Sequence, residues 1–327
     1  MSYYVKDLEI DGDVLETYTG NGGSVDIPSD VRKIGDSAFA HFKDITDVYI
    51  PSTVRVIDSY AFVGCTGLTE ITIPDSVTVI EDRAFSGCKN LKSITIPDSV
   101  VKIGDLAFAD CTGAASITIP DSVAEIGSGA FKGCTCLADE NGFIIIRGVL
   151  HGYNGKNETA SVPEGVTEIG TEAFVGCPNL KSLTIPDSVK RIGSYAFSEC
   201  ESLTDVVLPE TLTEIEDAVF WRCKSLANAT IPVGVTKIGK SAFRECTKIT
   251  SVTIPDGVTE IGDNAFDGCE NLADITLHDT LTNIGGDAFP DCPNLTVHAS
   301  AENTALKKYA KRYVSECIPE YLKKWAE

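Results

Sequence analysis

The fold is decided by residues 69–91, which read Thr-Glu-Ile-Thr-Ile-Pro-Asp-Ser-Val-Thr-Val-Ile-Glu-Asp-Arg-Ala-Phe-Ser-Gly-Cys-Lys-Asn-Leu. Nearly all of the chain from residue 24 to residue 298 consists of copies of this stretch, most of them 23 residues apart. The residue equivalent to Ile73 marks each of eleven copies, here called repeats 1–11: Ile27, Ile50, Ile73, Ile96, Ile119, Val162, Ile185, Leu208, Ile231, Ile254 and Leu277. A period this regular predicts a repeat architecture.

Each repeat contains one segment that reads as a short strand and one that reads as a turn. Residues 71–73 alternate apolar and polar side chains, and Pro74 ends the strand because it has no N–H for a continuing ladder. Phe85, Cys88 and Leu91 are spaced to share one face of a short helical turn. A single repeat cannot cover its own apolar side, so the repeats must stack. The sequence therefore predicts an α/β repeat solenoid with a parallel sheet on one side.

The repeated pattern resembles a known family. Leu-x-x-Ile-x-Ile-Pro-Asp-Ser-Val-x-x-Ile-Gly-x-x-Ala-Phe-x-x-Cys is similar to the 23-residue BspA-like leucine-rich repeats, and the resemblance covers residues 24–298. It implies a leucine-rich-repeat solenoid with a curved parallel β-sheet and short helical turns on the convex side. It also implies a role in adhesion and protein–protein contact at a bacterial cell surface or after secretion. Residues 1–20, however, lack the apolar core of a signal peptide.

Two related segments interrupt the repeats, and a helical pattern follows them. Residues 8–20 read as a β-hairpin that caps the first repeat, and residues 143–155 match them 135 positions later. The second hairpin is either a relic of duplication or a site that contacts a partner. Residues 303–314 predict a capping helix. We divide one continuous solenoid domain into a capping hairpin (1–23), repeats 1–5 (24–137), an inserted hairpin (138–160), repeats 6–11 (161–298) and a C-terminal capping helix region (299–327).

The twelve cysteines do not indicate a metal site. Ten of them occupy the same position of the repeat, which is typical of a column of small buried thiols. Zinc sites need paired cysteines or cysteine with histidine, whereas Cys134-Thr-Cys136 stands alone and the four histidines are scattered. No glycine-rich phosphate loop or nucleophile–base pattern is visible either. We expect no metal, no cofactor and no enzymatic activity.

The charge of the chain restricts its partners. The formal net charge is −21 at pH 7, which argues against binding to nucleic acid or to anionic membranes. No run of 18 apolar residues is present, so we expect no membrane insertion. The expected partner is a protein, from a host or bacterial surface, or a glycan.

The candidate binding residues lie on the outward side of the predicted strands, in the inserted hairpin and on one outer turn. Most outward strand positions are Thr, which suits a ladder, and Tyr49 is the one with a side chain typical of binding hot spots. Trp221 and Arg222 are an unusual pair on the turn of repeat 8. The predicted binding residues are Tyr49, Glu70, Thr72, Thr95, Thr118, Arg147, His151, Tyr153, Thr184, Trp221 and Arg222.

These observations favour a non-enzymatic protein- or glycan-binding solenoid. The resemblance favours a bacterial surface adhesion or interaction module, and we expect it to act as a monomer. The alternative is a cytosolic scaffold for protein–protein interaction, which the missing signal sequence favours.

Overall fold

A computed structural model describes residues 2–311 and 322–323, with only the backbone described for residues 2–4. The chain divides into two compact units, formed by residues 1–146 with 151–154 and by residues 147–150 with 155–327. Each unit is a stack of coils, one coil per repeat, joined by parallel β-pairing. Within the described residues, no helix has the length and apolar character needed to cross a bilayer.

The predicted strand of each repeat forms the first of two parallel ladders, here called the strand face. In register, each residue pairs with the residue 23 positions on, as Ile94 does with Ile117. Inward and outward side chains alternate, so Ile94 is buried whereas Thr95 is exposed. The first unit contributes the strands Gly23–Asp26, Ile45–Tyr49, Ser93–Thr95 and Ser116–Thr118. The second contributes Thr159–Ser161, Ser182–Thr184, Asp205–Val207, Ala229–Thr230, Ser251–Thr253, Asp274–Thr276 and Thr296–His298.

A second ladder runs through the first unit and, with a break between Arg191–Ile192 and Glu214–Ile215, through the second. It was not predicted from the sequence, where one strand was assigned to each repeat. It consists of two-residue strands that end on a buried isoleucine, such as Ile80 paired with Ile103. In the first unit these strands are Lys33–Ile34, Val56–Ile57, Val79–Ile80, Lys102–Ile103 and Glu125–Ile126. In the second they are Glu168–Ile169, Arg191–Ile192, Glu214–Ile215, Lys237–Ile238, Glu260–Ile261 and Asn283–Ile284.

Both predicted hairpins are present, and each begins the second ladder of its unit. Strands Ser2–Val5, Leu8–Asp11 and Val14–Tyr18 pair antiparallel, and Leu15 then pairs in parallel with Ile34. Strands Phe143–Ile146 and Val149–Tyr153 form the later hairpin, in which Leu150 pairs with Ile169. The 135-residue match between the hairpins therefore corresponds to the same structural position. The division between the two units falls inside the second hairpin.

The outer segments are hydrogen-bonded turns, and only the 3₁₀ helix Thr135–Leu137 interrupts this pattern in the described repeats. The prediction that these segments are helical was wrong. Two residues of each turn have left-handed backbone, such as Arg83 (φ 54°) and Gly87 (φ 74°). A helix cannot continue through such residues. The backbone instead bonds to the next coil, since the Phe85 N–H donates to the Ala107 carbonyl at 2.7 Å. The same arrangement recurs along both units.

The core consists of columns of identical side chains. The rings of Phe39, Phe62, Phe85, Phe108 and Phe131 are fully buried and stack 4.9–5.6 Å apart within 5° of parallel. In the second unit a similar column extends from Phe174 to Phe289. Phenylalanine buries a large apolar area per residue, so each column joins neighbouring coils over much of their contact.

The predicted capping helix is present as Thr304–Ala310. The Asn303 side chain accepts a hydrogen bond from the Leu306 N–H at 2.9 Å and donates one to the His278 carbonyl, which joins the helix to repeat 11. Leu306 and Tyr309 are buried, and the Tyr309 ring meets Phe289 edge-on. Residues 312–321 and 324–327 of the predicted cap region, including Cys317, lie outside the described residues.

Candidate binding surface

The strand face offers a row of exposed polar side chains that the core does not need. Among the predicted binding residues, Thr72, Thr95, Thr118 and Thr184 all point outward and are exposed. Tyr49 is 61% exposed, the largest aromatic area on this face. In the second unit, Val207 and Val233 are 66% and 77% exposed, although neither is among the predicted binding residues.

The ladder of the strand face is interrupted at repeat 3 and again between Asp205–Val207 and Ala229–Thr230. At repeat 3, residues 70–73 form no strand, although residues 71–73 match residues 94–96 of repeat 4 in sequence. The Ile96 N–H donates to the Thr118 carbonyl at 3.2 Å and the Ile27 N–H to the Tyr49 carbonyl at 3.1 Å. The equivalent bond is not made by the Ile73 N–H, nor by several other repeats, among them those of Ile185 and Ile254. Repeat 3 differs in that no backbone hydrogen bond joins residues 71–73 to the described coils on either side.

A cleft of about 470 Å³ opens at this interruption. It is lined by residues 70–73 and Asp75 of repeat 3 and by Lys92, Ser93, Thr95 and Pro97 of repeat 4. The two coils remain joined on both sides, by the Lys92 N–H to the Thr69 carbonyl (3.1 Å) and by the pairing of Ile80 with Ile103. The opening is therefore confined to the strand face. Three predicted binding residues, Glu70, Thr72 and Thr95, line it.

A buried hydroxyl beside the cleft also departs from the regular bonding. In regular repeats the Ser or Thr after Pro-Asp donates to the preceding coil, as Ser99 Oγ does to the Val77 carbonyl at 2.7 Å. Ser76 Oγ is buried in the equivalent position of repeat 3 and has no hydrogen-bond partner among the described residues. The equivalent Ser122 Oγ of repeat 5 is also buried without a described partner, so the unpaired hydroxyl is not confined to repeat 3. Unpaired buried polar groups cost free energy at both positions.

Most of the Lys and Arg side chains in ion pairs lie away from the strand face. Arg191, in the second ladder, contacts both Glu168 (2.5 Å) and Glu216 (2.8 Å), and these carboxylates hold the pKa of the guanidinium above its usual value against desolvation. Lys102 likewise contacts Glu81 at 2.8 Å. On the strand face, by contrast, the exposed Asp75 and Asp98 have no ion-pair partner among the described residues. That face is therefore left with uncompensated negative charge.

Trp221 and Arg222 lie on the turn side and are both partly buried. The Arg222 guanidinium lies 5.2 Å from the Trp221 ring centroid and contacts Glu199 at 3.6 Å and Glu245 at 3.0 Å. Its hydrogen bond to Glu245 raises the pKa of Arg222 and lowers that of the Glu245 carboxyl. The pair joins three successive coils, which is a structural role.

The three hairpin candidates divide between surface and core. Arg147 is exposed in the turn, at φ 51°. His151 is fully buried against the edge of Phe131, and Tyr153 is 7% exposed. Burial lowers the pKa of His151 to about 4 because no described group pairs with its ring nitrogens. Neither buried side chain is available to a partner at the surface, which corrects the expectation for those two residues.

The cysteine column is a set of hydrogen-bond donors. Nine thiols donate to the carbonyl of the Phe 26 residues earlier, as Cys88 does to Phe62 at 3.1 Å and Cys246 to Phe220 at 3.0 Å. Desolvation raises the pKa of Cys65 and Cys134 to about 12, which keeps these thiols protonated. Over the described part of the chain, no three His, Cys, Asp or Glu side chains are placed to hold a metal ion.

Comparison with known proteins agrees with this geometry. A model described as the BspA type leucine-rich repeat region, in six copies, matches residues 17–138 and 153–310. The chain belongs to the BspA-type leucine-rich repeat family. A search of curated proteins with this chain found no match.

Several solved structures are similar to this BspA-type chain. A leucine-rich repeat protein from Bacteroides ovatus is 30% identical, with 90% of this chain and 84% of that one covered and a TM-score of 0.46. A leucine-rich cell surface protein from Faecalibacterium prausnitzii is 27% identical, with 94% and 97% covered and a TM-score of 0.49. The pneumococcal vaccine antigen PcpA is 20% identical, with 96% of each chain covered and a TM-score of 0.54, which shows the fold alone. Membership of the BspA-type leucine-rich repeat family suggests a protein-interaction module.

Proposed function

We propose that this BspA-type protein is a non-enzymatic binding module that presents its strand face to a protein partner at a bacterial surface. The observation that carries the proposal is the strand face itself. Its outward side chains are exposed, polar and unused by the core, and they include Tyr49, whose large open ring is typical of a binding hot spot. The resemblance of the repeats to those of bacterial surface proteins supports the location.

The absence of a reactive arrangement in the described residues supports a binding role over catalysis. The column thiols are protonated and buried, and the buried His151 has no acid or base partner. Catalysis needs titratable groups that converge on a pocket. A cleft near Arg244 and Asp267 does gather carboxylates, including Glu245, Glu270, Asp287 and Asp291, but Arg244 and Asp267 are held in an ion pair at 2.8 Å and no described histidine lines it.

Capture from surface extracts tests the binding role. The immobilised full chain is incubated with bacterial and host surface extracts, alongside the variant Tyr49→Ala and the control variant Tyr60→Ala. Tyr60 is 40% exposed in the same unit but lies on the turn side, so the two variants remove the same ring from opposite faces. We expect Tyr49→Ala to reduce capture and Tyr60→Ala to leave it unchanged. Equal capture by all three proteins would contradict binding through the strand face.

Two treatments separate the alternatives raised by the sequence. Loss of capture after protease treatment of the extract identifies a protein partner, whereas loss after periodate treatment identifies a glycan. Protease digestion of intact producing cells then tests location. Digestion of the chain on intact cells is expected for a surface module, and full protection would favour the cytosolic scaffold.

A further inference from the structure

We propose that the cleft between repeats 3 and 4 binds an extended, lysine- or arginine-containing segment of a partner protein, which pairs its backbone with the unpaired groups of repeat 3. This inference rests on the proposed function and specifies what the strand face binds. Three observations carry it: the unpaired backbone, the shape of the cleft and its charge.

The unpaired backbone specifies an extended occupant. Residues 71–73 make no ladder bond on either side: the Ile73 N–H is not bonded to the Thr95 carbonyl, and the Thr72 carbonyl receives no bond from the Ile50 N–H. Unpaired backbone groups along a sheet are the template to which a peptide strand adds. An extended peptide presents donors and acceptors at a matching spacing, because a strand advances about 3.3 Å per residue. A folded surface or a sugar has no such regular row.

The dimensions of the cleft suit a short segment. A volume of about 470 Å³ lies within the usual range for ligand sites. The hydrogen bond from the Lys92 N–H to the Thr69 carbonyl closes the cleft at one end. The pairing of Ile80 with Ile103 in the second ladder closes it at the other. Ile71 is only partly buried here, whereas the equivalent Ile94 is 1% exposed. An occupant that inserts an apolar side chain would complete the burial of Ile71.

The charge around the cleft specifies a cationic occupant. Glu70 and Asp75 line it and Asp98 lies just beyond it, whereas Lys92 is its single cation and lies 4.0 Å from Glu70. Asp75 and Asp98 have no ion-pair partner among the described residues. A segment that alternates cationic and β-branched residues would place its cations among these carboxylates and its apolar side chains toward Ile71. A second copy of this chain is disfavoured, since its net charge is −21.

A synthetic peptide tests the proposal on the full chain. The probe is an acetylated, amidated peptide of alternating Lys and Val, eight residues long. The control is the same sequence with every backbone amide methylated, which keeps the charge and removes the N–H donors from both edges of the strand. Binding is measured by fluorescence polarisation, and the amide signals of Ile73 and Ile96 are followed by NMR. We expect saturable binding of the first peptide, with Ile73 shifted, and no binding of the methylated one.

A matched pair of charge reversals locates the site. Asp75→Lys and Asp121→Lys make the same change at equivalent exposed turn positions of repeats 3 and 5. Asp75→Lys is expected to weaken binding roughly tenfold, and Asp121→Lys less than twofold, since an exposed charge acts mainly over about one Debye length. Circular dichroism confirms that both variants fold.

The possible results separate this inference from the proposed function. Equal binding of the methylated peptide, or equal weakening by the two reversals, would show diffuse charge attraction and overturn the cleft proposal. No binding of the Lys-Val peptide would also overturn it. If Tyr49-dependent capture from surface extracts persists in any of these cases, the binding function stands and only the assignment of the cleft fails.

Discussion

Acidification is expected to destabilise the first unit through His151. The imidazole is fully buried and unpaired, and burial lowers its pKa to about 4, against 6.5 in the unfolded chain. Because the unfolded state takes up the proton first, stability is highest above pH 6.5 and is lost as the pH falls from 6.5 toward 4. One pKa unit corresponds to about 1.4 kcal/mol, so this residue costs about 2 kcal/mol at pH 5 and about 3 kcal/mol at pH 4.

The variant His151→Leu removes the titrating group from this site while keeping a side chain of similar volume. Free energies of unfolding are measured by urea denaturation, followed by circular dichroism, at pH 7.5, 6 and 5. Between pH 7.5 and 5 we expect the natural chain to lose about 2 kcal/mol more than the variant. The variant is also expected to be at least as stable at pH 7.5, because two unpaired buried nitrogens disappear.

A control in the same strand separates titration from packing. Leu150→Val removes one buried methylene without a titratable group, so it should lower stability by about 1 kcal/mol equally at all three pH values. If His151→Leu showed the full acid sensitivity of the natural chain, the imidazole would not be neutral and buried as described, and the reasoning would be wrong.

Three further predictions concern the columns and ladders. Cys111→Ala is expected to destabilise the chain by about 1 kcal/mol in urea denaturation, because the Phe85 carbonyl loses the thiol and keeps only the Cys88 N–H as donor, while Cys111→Ser should cost less because the hydroxyl can donate; equal losses would reject the hydrogen-bond role of the thiol. Phe85→Ala should lower the free energy of unfolding by about 3–5 kcal/mol, since the ring is fully buried in the middle of its column, and a loss under 1 kcal/mol would contradict that packing. Arg191→Met should cost about 1 kcal/mol or less at low salt and nothing measurable in 1 M NaCl, as expected of a half-exposed ion pair; a salt-independent loss would indicate packing instead.

The sequence predicted the stacking of the coils because the evidence for it is repeated. Alternation at residues 71–73 and the spacing of Phe85 and Cys88 recur in register, so each repeat confirms the others. The second ladder was missed because strands of two residues, such as Val79–Ile80, are too short to show a period. The turns were taken for helical because the i, i+3 spacing of Phe85 and Cys88 fits both, and the left-handed backbone at Arg83 leaves no mark in that spacing.

The candidate surface was predictable only in part. Outward positions of a strand follow from alternation, so the exposure of Thr72 and Thr95 could be read directly. The cleft could not, because Ile71-Thr72-Ile73 and Ile94-Thr95-Ile96 are identical in sequence and differ only in their pairing. The burial of His151 could not be predicted either. A single polar residue in an alternating strand does not indicate which neighbouring coil packs against it.

Hydrogen exchange at two equivalent amides tests the central claim most directly, that the strand face is laddered through repeats 4 and 5 but open at repeat 3. The Ile96 N–H is bonded to the Thr118 carbonyl at 3.2 Å, whereas the Ile73 N–H has no partner among the described residues. We predict that Ile73 exchanges at least a hundredfold faster than Ile96 in the native chain, consistent with local opening far below the global free energy of unfolding. Equal protection of the two amides would show that repeat 3 is paired like its neighbours and would contradict the account.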